Sequence, residues 1–113
     1  MKGQTLKENK DFRRLYYRGK NEASSALVTY GMKSRGDGVR YGITTSKKIG
    51  GAVERNRARR VIRAAFRNIE PRINGSWDFV FVARTRTTKC KEDAVEKAML
   101  AHMKAMGAVN EED

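Results

Sequence analysis

Six arginines fall within residues 52–69: Arg55, Arg57, Arg59, Arg60, Arg63 and Arg67, with Glu54 as the one acid among them. At 100° per residue, a helix here places Asn56, Arg60, Arg63 and Arg67 within about 60° of one another. Arg55 and Arg59 flank this ridge, and Arg57 borders its other edge. Like charges at i, i+4 repel, so the row is costly unless something neutralises it. Guanidinium offers paired donors to phosphate and can stack on bases. Most charged helix faces are simply solvated. The single sign and the choice of arginine over lysine argue for phosphate here instead.

Two further groups sit beside this row. Lys47 and Lys48 precede Gly50 and Gly51 just ahead of the helix start. Lysines, free amides and the helix dipole together favour an anion. The loop lacks the glycine and Lys-Ser/Thr spacing of a Walker A motif, and alone it could be a plain connector. The second group is aromatic. Phe12, Tyr16 and Tyr30 are candidate platforms for unpaired bases, each of which contributes about 1–3 kcal/mol where it stacks. Pattern alone leaves all three open between core packing and contact. Trp77, Phe79 and Phe81 read as core.

Catalytic side chains are not evident. His102 lies among methionine and leucine, Cys90 has no activating neighbour in sequence, and the acids show no metal-binding spacing. With one cysteine and one histidine, neither an intrachain disulfide nor a Cys/His zinc site is available.

The elements that must hold these groups are legible from periodicity. Thr5 and Glu8 have capping-box spacing, so a first helix starts there or at Asn9. Phe12, Leu15 and Tyr16 share one face of it, and Gly19 is a candidate left-handed stop. Residues 27–32 and 40–46 read as strands around a turn at 34–38, which suggests an antiparallel hairpin. The arginine helix runs from about Ala52 to about Ile69. Its opposite face collects Ala58, Val61, Ile62, Ala65, Phe66 and Ile69 to pack on a sheet. Residues 77–83 are apolar on both sides and belong inside that sheet. A last helix runs from about Lys91 to about Met106, with Gly107 as its stop. The order α-β-β-α-β-α, with room for one short extra strand, predicts an α+β fold: a two-layer α/β sandwich.

Composition narrows the class. The chain has 113 residues, 25 Lys and Arg against 13 Asp and Glu, and a net charge of +12. It reads as one domain over residues 1–113 without repeats or linkers. The apolar runs are too short to span a bilayer, the opening residues do not read as a secretory signal, and a lone cysteine suits a reducing cytoplasm. Such an excess of positive charge is relieved by a polyanion, nucleic acid before an anionic membrane surface. Residues 40–67 hold nine basic side chains against Glu54, whereas Glu92, Asp93, Glu96, Glu111, Glu112 and Asp113 make the end more acidic.

The segment SKKIGGAVERNRARRVIR at residues 46–63 resembles the signature of the bacterial ribonuclease P protein family. Asp11, Phe12, Tyr16 and Gly19 resemble the family's first helix, and residues 77–84 its last strand. The likeness covers nearly the whole chain. It implies a ribosomal-protein-like sandwich with a left-handed β-α-β crossover through the arginine helix, where chain geometry alone favours the right-handed one in roughly 98% of cases.

The resemblance also implies an accessory role in a ribonucleoprotein endoribonuclease. A catalytic RNA, with Mg2+ bound mainly by that RNA and the substrate, hydrolyses precursor tRNA to leave the mature 5′ end. By position, Lys47, Lys48, Arg55, Asn56, Arg57, Arg59, Arg60, Arg63 and Arg67 would face RNA, and Phe12, Tyr16 and Tyr30 would line a cleft for the 5′ leader. Whether the protein itself holds a metal is left open by the sequence, and the protein is expected to be monomeric before assembly. Tyr16 stands where phenylalanine is common, and Ala58 where a larger residue is common. The acidic end, residues 110–113, departs from the family's usual basic one and is assigned no RNA contact. The rival classes are a general or ribosomal-type RNA binder using the same helix, and a DNA-binding helix module. The sheet and the aromatic candidates weigh against DNA.

Overall fold

The computed structural model describes residues 4–36 and 38–110. Its elements are β1 (Gln4–Thr5), α1 (Asn9–Arg18), β2 (Lys20–Ala23), β3 (Leu27–Lys33), β4 (Val39–Thr44), α2 (Ala52–Ile69), β5 (Trp77–Ala83) and α3 (Glu92–Met106), with short 3-10 turns at Lys47–Ile49, Glu70–Arg72 and Thr85–Thr88. The sheet order is β1-β4-β5-β3-β2. Four longer strands thus carry a two-residue edge strand.

The apolar pattern of β5 explains its central place. Trp77, Phe79, Phe81 and Ala83 join the core beneath α2 and α3, and Val80 joins a second cluster beneath α1 with Leu6 and Leu15. Burial on both faces suits an inner strand. On α2, Ala58, Ile62, Ala65, Phe66 and Ile69 are buried and Val61 is partly buried. Phe66 stacks on Tyr41 with ring centroids 4.4 Å apart. α2 and α3 therefore form the helical layer of the sandwich, while α1 lies across part of the opposite face.

Residues 27–32 and 40–46 do not form a hairpin. β5 lies between β3 and β4, antiparallel to the first and parallel to the second. The most apolar strand takes the position with two neighbours, and α2 supplies the crossover from β4 to β5. The hairpin of this fold is β2–β3 instead, with Asn21 opposite Tyr30. The sequence pattern did not reveal β2 because all four of its residues are exposed.

At the helix ends, α1 starts at Asn9, one of the two expected positions, while Thr5 lies in β1 and the residue before α1 is Glu8, without a side-chain cap. Gly19 ends α1 at φ −74°, not in the left-handed region. Its lack of a side chain matters for space, since a Cβ there would lie 2.6 Å from the Leu15 carbonyl oxygen. Gly107 does take the left-handed stop, at φ 88°.

His102 is a packed residue of α3, 5% exposed, and its Nδ1 lies 2.8 Å from the Thr29 hydroxyl. Burial pushes its pKa below the ordinary 6.5, against a smaller upward pull from Glu22. The folded state thus prefers neutral imidazole, while the unfolded chain takes up a proton near pH 6.5. Stability from this group is complete above that pH and falls as the pH drops from 6.5 towards the depressed folded value. Urea midpoints at pH 7.5 and 5.5 should therefore drop more for the wild type than for His102→Gln. Equal drops would show an imidazole that charges freely in the fold.

Candidate nucleic-acid interface

α2 turns its charged face to solvent because its apolar face is consumed by the sheet. Asn56, Arg57, Arg60, Arg63 and Arg67 are exposed, and Arg55 and Arg59 are half-buried. Among the described residues, no carboxylate comes within 4 Å of any of these six guanidiniums. Arg59 Nη1 donates to the Asn56 side-chain oxygen at 3.1 Å, and Arg55 Nη1 reaches the Gly50 carbonyl at 3.5 Å. Glu92 borders the shallow depression at Arg57 and Arg60 without forming an ion pair. The α3 carboxylate of Glu96 accepts from Asn68 instead, at 2.7 Å.

Lys47 and Lys48 are exposed in the 3-10 turn ahead of α2. The helix start beside them differs from a bare anion site. Glu54 folds over the loop, its Cβ and Cγ 3.0 Å from where a Gly50 Cβ would stand. The helix's one acid therefore already sits at the positive end of its dipole.

The aromatic candidates come together on the α1 face of the sheet. Tyr16 and Tyr30 meet edge to face at 4.9 Å, and the Tyr16 hydroxyl lies 3.0 Å from that of Thr44. Phe12 and Tyr16 line an open groove of about 680 Å³ with Asn9, Arg13, Ile43, Thr44, Thr45 and Arg59. It stays open for two reasons. α1 is too short to cover the sheet, and β1 pairs only with Arg40 and Tyr41, which leaves the rest of the β4 edge bare. Gly42 supplies the floor under Phe12: a Cβ there would lie 2.5 Å from the ring's Cζ.

Arg59 joins the two surfaces. It lines the aromatic groove and also the neighbouring depression with Asn56, Arg60 and Arg63. Ridge and groove thus adjoin around the β4 edge.

Arg40, part of the basic stretch in sequence, belongs elsewhere. Its Nε and Nη2 donate to the buried Asp78 carboxylate at 3.0 and 2.8 Å, and Arg14 Nη2 donates to the same group at 2.8 Å. Asp11 adds a weaker contact to Arg14 at 3.3 Å. The bond to Asp78 raises the Arg40 pKa above its ordinary value. Sequence reasoning missed this cluster, although one signal was present: an aspartate inside an apolar strand needs a buried partner. Among the described residues no three His, Cys, Asp or Glu side chains group to hold a metal ion.

Fold and site together define a small basic α+β protein whose arginine helix, without an ion pair among the described residues, lies beside an aromatic groove. The sequence profile described as Ribonuclease P matches residues 1–107. The ribonuclease P protein component of Clostridioides difficile is 41% identical over 95 residues, covering 83% of each chain. That of Pelotomaculum thermopropionicum is 41% identical over 99 residues, covering 88% of each. The solved ribonuclease P protein of Staphylococcus aureus superposes with a TM-score of 0.83 at 30% identity, over 96% of this chain and all of that one. The chain belongs to the ribonuclease P protein family.

Among the described residues, no helix is long and apolar enough to cross a membrane.

Proposed function

We propose that this chain is the protein subunit of a ribonuclease P that binds the catalytic RNA and the 5′ leader of precursor tRNA. The arginine face of α2, with Lys47 and Lys48, contacts RNA phosphates. Phe12 and Tyr16 take unpaired leader bases in the groove, with Tyr30 packed edge to face against Tyr16. The catalytic RNA performs the hydrolysis, with Mg2+ held mainly by that RNA and the substrate. The protein assists by fixing the leader and screening phosphate repulsion, as a monomer before assembly and in the cytoplasm. The observation that carries this reading is the continuity with the aromatic groove, through Arg59, of six guanidiniums that meet no carboxylate among the described residues.

Reconstitution tests it. Adding the protein to a ribonuclease P RNA should lower the magnesium and salt needed to cleave precursor tRNA at the mature 5′ end. RNA binding without stimulation would leave a general RNA-binding protein.

The groove makes a narrower prediction. Gly42→Ala places a methyl 2.5 Å from Phe12 Cζ and 2.7 Å from Cε1, so the ring must swing away. Loss of one stacking platform, about 1–3 kcal/mol, corresponds to about 5- to 150-fold weaker binding of precursor with a long leader. Mature tRNA should bind as before. Equal losses on both RNAs would take Phe12 out of the leader cleft.

A further inference from the structure

α1 has two borders on the sheet. Phe12 and Tyr16 lie along one and face the aromatic groove. Arg14 and Arg18 lie along the other, where a second cavity of about 750 Å³ opens between α1 and the facing ends of β3 and β4. Arg14, Arg18, Lys33, Arg35 and Arg40 line it around Asp78.

We propose that this cavity is a second phosphate-binding site for an RNA backbone, separate from the α2 ridge and the leader groove. The inference rests on the RNA-binding reading above and extends it to a surface to which that reading assigns nothing.

Asp78 acts as an organiser here. Its carboxylate is 1% exposed and engages Arg40 through Nε and Nη2 and Arg14 through Nη2. These bonds hold two guanidiniums in place on folding, so little side-chain freedom remains to be lost when a ligand arrives. They also leave donors unused. Nη1 of each guanidinium has no hydrogen bond among the described residues, and Arg14 Nε is buried without a partner. Arg18 and Lys33 add two cations at the rim, with no ion pair among the described residues. Among the described residues, five cations thus line a cavity in which the acids touching them, Asp78 and Asp11, are already engaged by Arg14 and Arg40, while the more distant Glu8 pairs with Lys10.

A nucleic acid backbone fits this surface better than a lone small anion does. The outward side of α1 carries Lys10, which pairs with Glu8 at 3.1 Å, and Arg13, which borders the aromatic groove, and it places Tyr17 one turn beyond Arg14. Tyr17 is 87% exposed, with no packing role to explain it. An exposed aromatic among arginines matches a ligand that alternates phosphates with flat bases.

The test uses the rim residues, which the fold does not need. Arg18→Gln with Lys33→Gln should leave Tm unchanged. Binding of the full-length chain to precursor tRNA and to ribonuclease P RNA, each alone, is titrated across salt. The slope of log affinity against log salt should become shallower by about 0.7–0.9 per lost contact for one of the two RNAs, which identifies whose phosphates are held. A control pair, Lys89→Gln with Lys97→Gln, removes the same charge from exposed positions elsewhere. An unchanged slope with both RNAs, or an equal change in the control pair, overturns the proposal. Arg60→Ala with Arg63→Ala is measured in parallel. An effect there alone leaves the α2 reading standing and removes this site, while no effect in either pair removes both.

Discussion

Replacing Arg60 and Arg63 together with alanine is expected to weaken RNA binding by roughly two orders of magnitude or more at moderate salt. Hydrogen bonds to charged groups contribute about 1.5–3 kcal/mol each, and every tenfold change in affinity corresponds to about 1.4 kcal/mol. Both side chains are exposed on the outer face of α2, and neither donates to any group among the described residues. No internal interaction is therefore lost, and relief of i, i+4 repulsion along the helix leaves stability unchanged or slightly higher. The diagnostic readout is the salt dependence, which should become shallower by up to about 0.7–0.9 per lost phosphate contact. Filter-binding or fluorescence titrations at several salt concentrations measure it, with a thermal melt to show that the fold is intact. A double variant that binds with the wild-type slope would remove this pair from the interface.

Much of this arrangement was legible because it depends on local pattern. The helix at Ala52–Ile69 and the strand at Trp77–Ala83 follow from periodicity and from apolar side chains on both faces, and the structure has those bounds. The outward row of arginines follows from the same wheel that places Phe66 and Ile62 inside. Strand pairing was less legible, because it is decided by competition among distant segments. Residues 27–32 and 40–46 look like hairpin partners locally, yet each gains more by flanking β5, whose two apolar faces need cover. The open face of the sheet could not be foreseen either. It depends on how far α1 reaches and on β1 being only two residues long. Tyr16, Tyr30 and Phe12 were singled out by type, but only the packing of α1 shows that Phe12 and Tyr16 line one groove and that Tyr30 sits edge to face behind Tyr16. The Asp78 cluster was missed for a related reason: Arg14, Arg40 and Asp78 are far apart in sequence, and each looks unremarkable alone.

Asp78→Asn should lower Tm by roughly 10 °C, a loss of about 2 kcal/mol for a domain near this size. The carboxylate is buried in the middle strand and accepts three bonds from two guanidiniums. Breaking a fully buried ion pair costs about 3–5 kcal/mol, because a charge is left without a partner. Here the guanidiniums reach solvent, with side-chain exposures of 40% for Arg14 and 36% for Arg40, so water takes up part of the loss. The expected cost is therefore nearer that of losing charge-assisted hydrogen bonds, about 1.5–3 kcal/mol. Asparagine keeps the shape and one acceptor, so the effect reports charge and bonding rather than a cavity. Arg40→Gln should cost less, since Arg14 still neutralises Asp78. Combining the two substitutions should cost less than their sum, because each removes part of the same interaction. Additive losses in that cycle would mean that the carboxylate and the guanidinium stabilise the sheet independently, and the role of Asp78 as organiser of this end of the molecule would be lost with them.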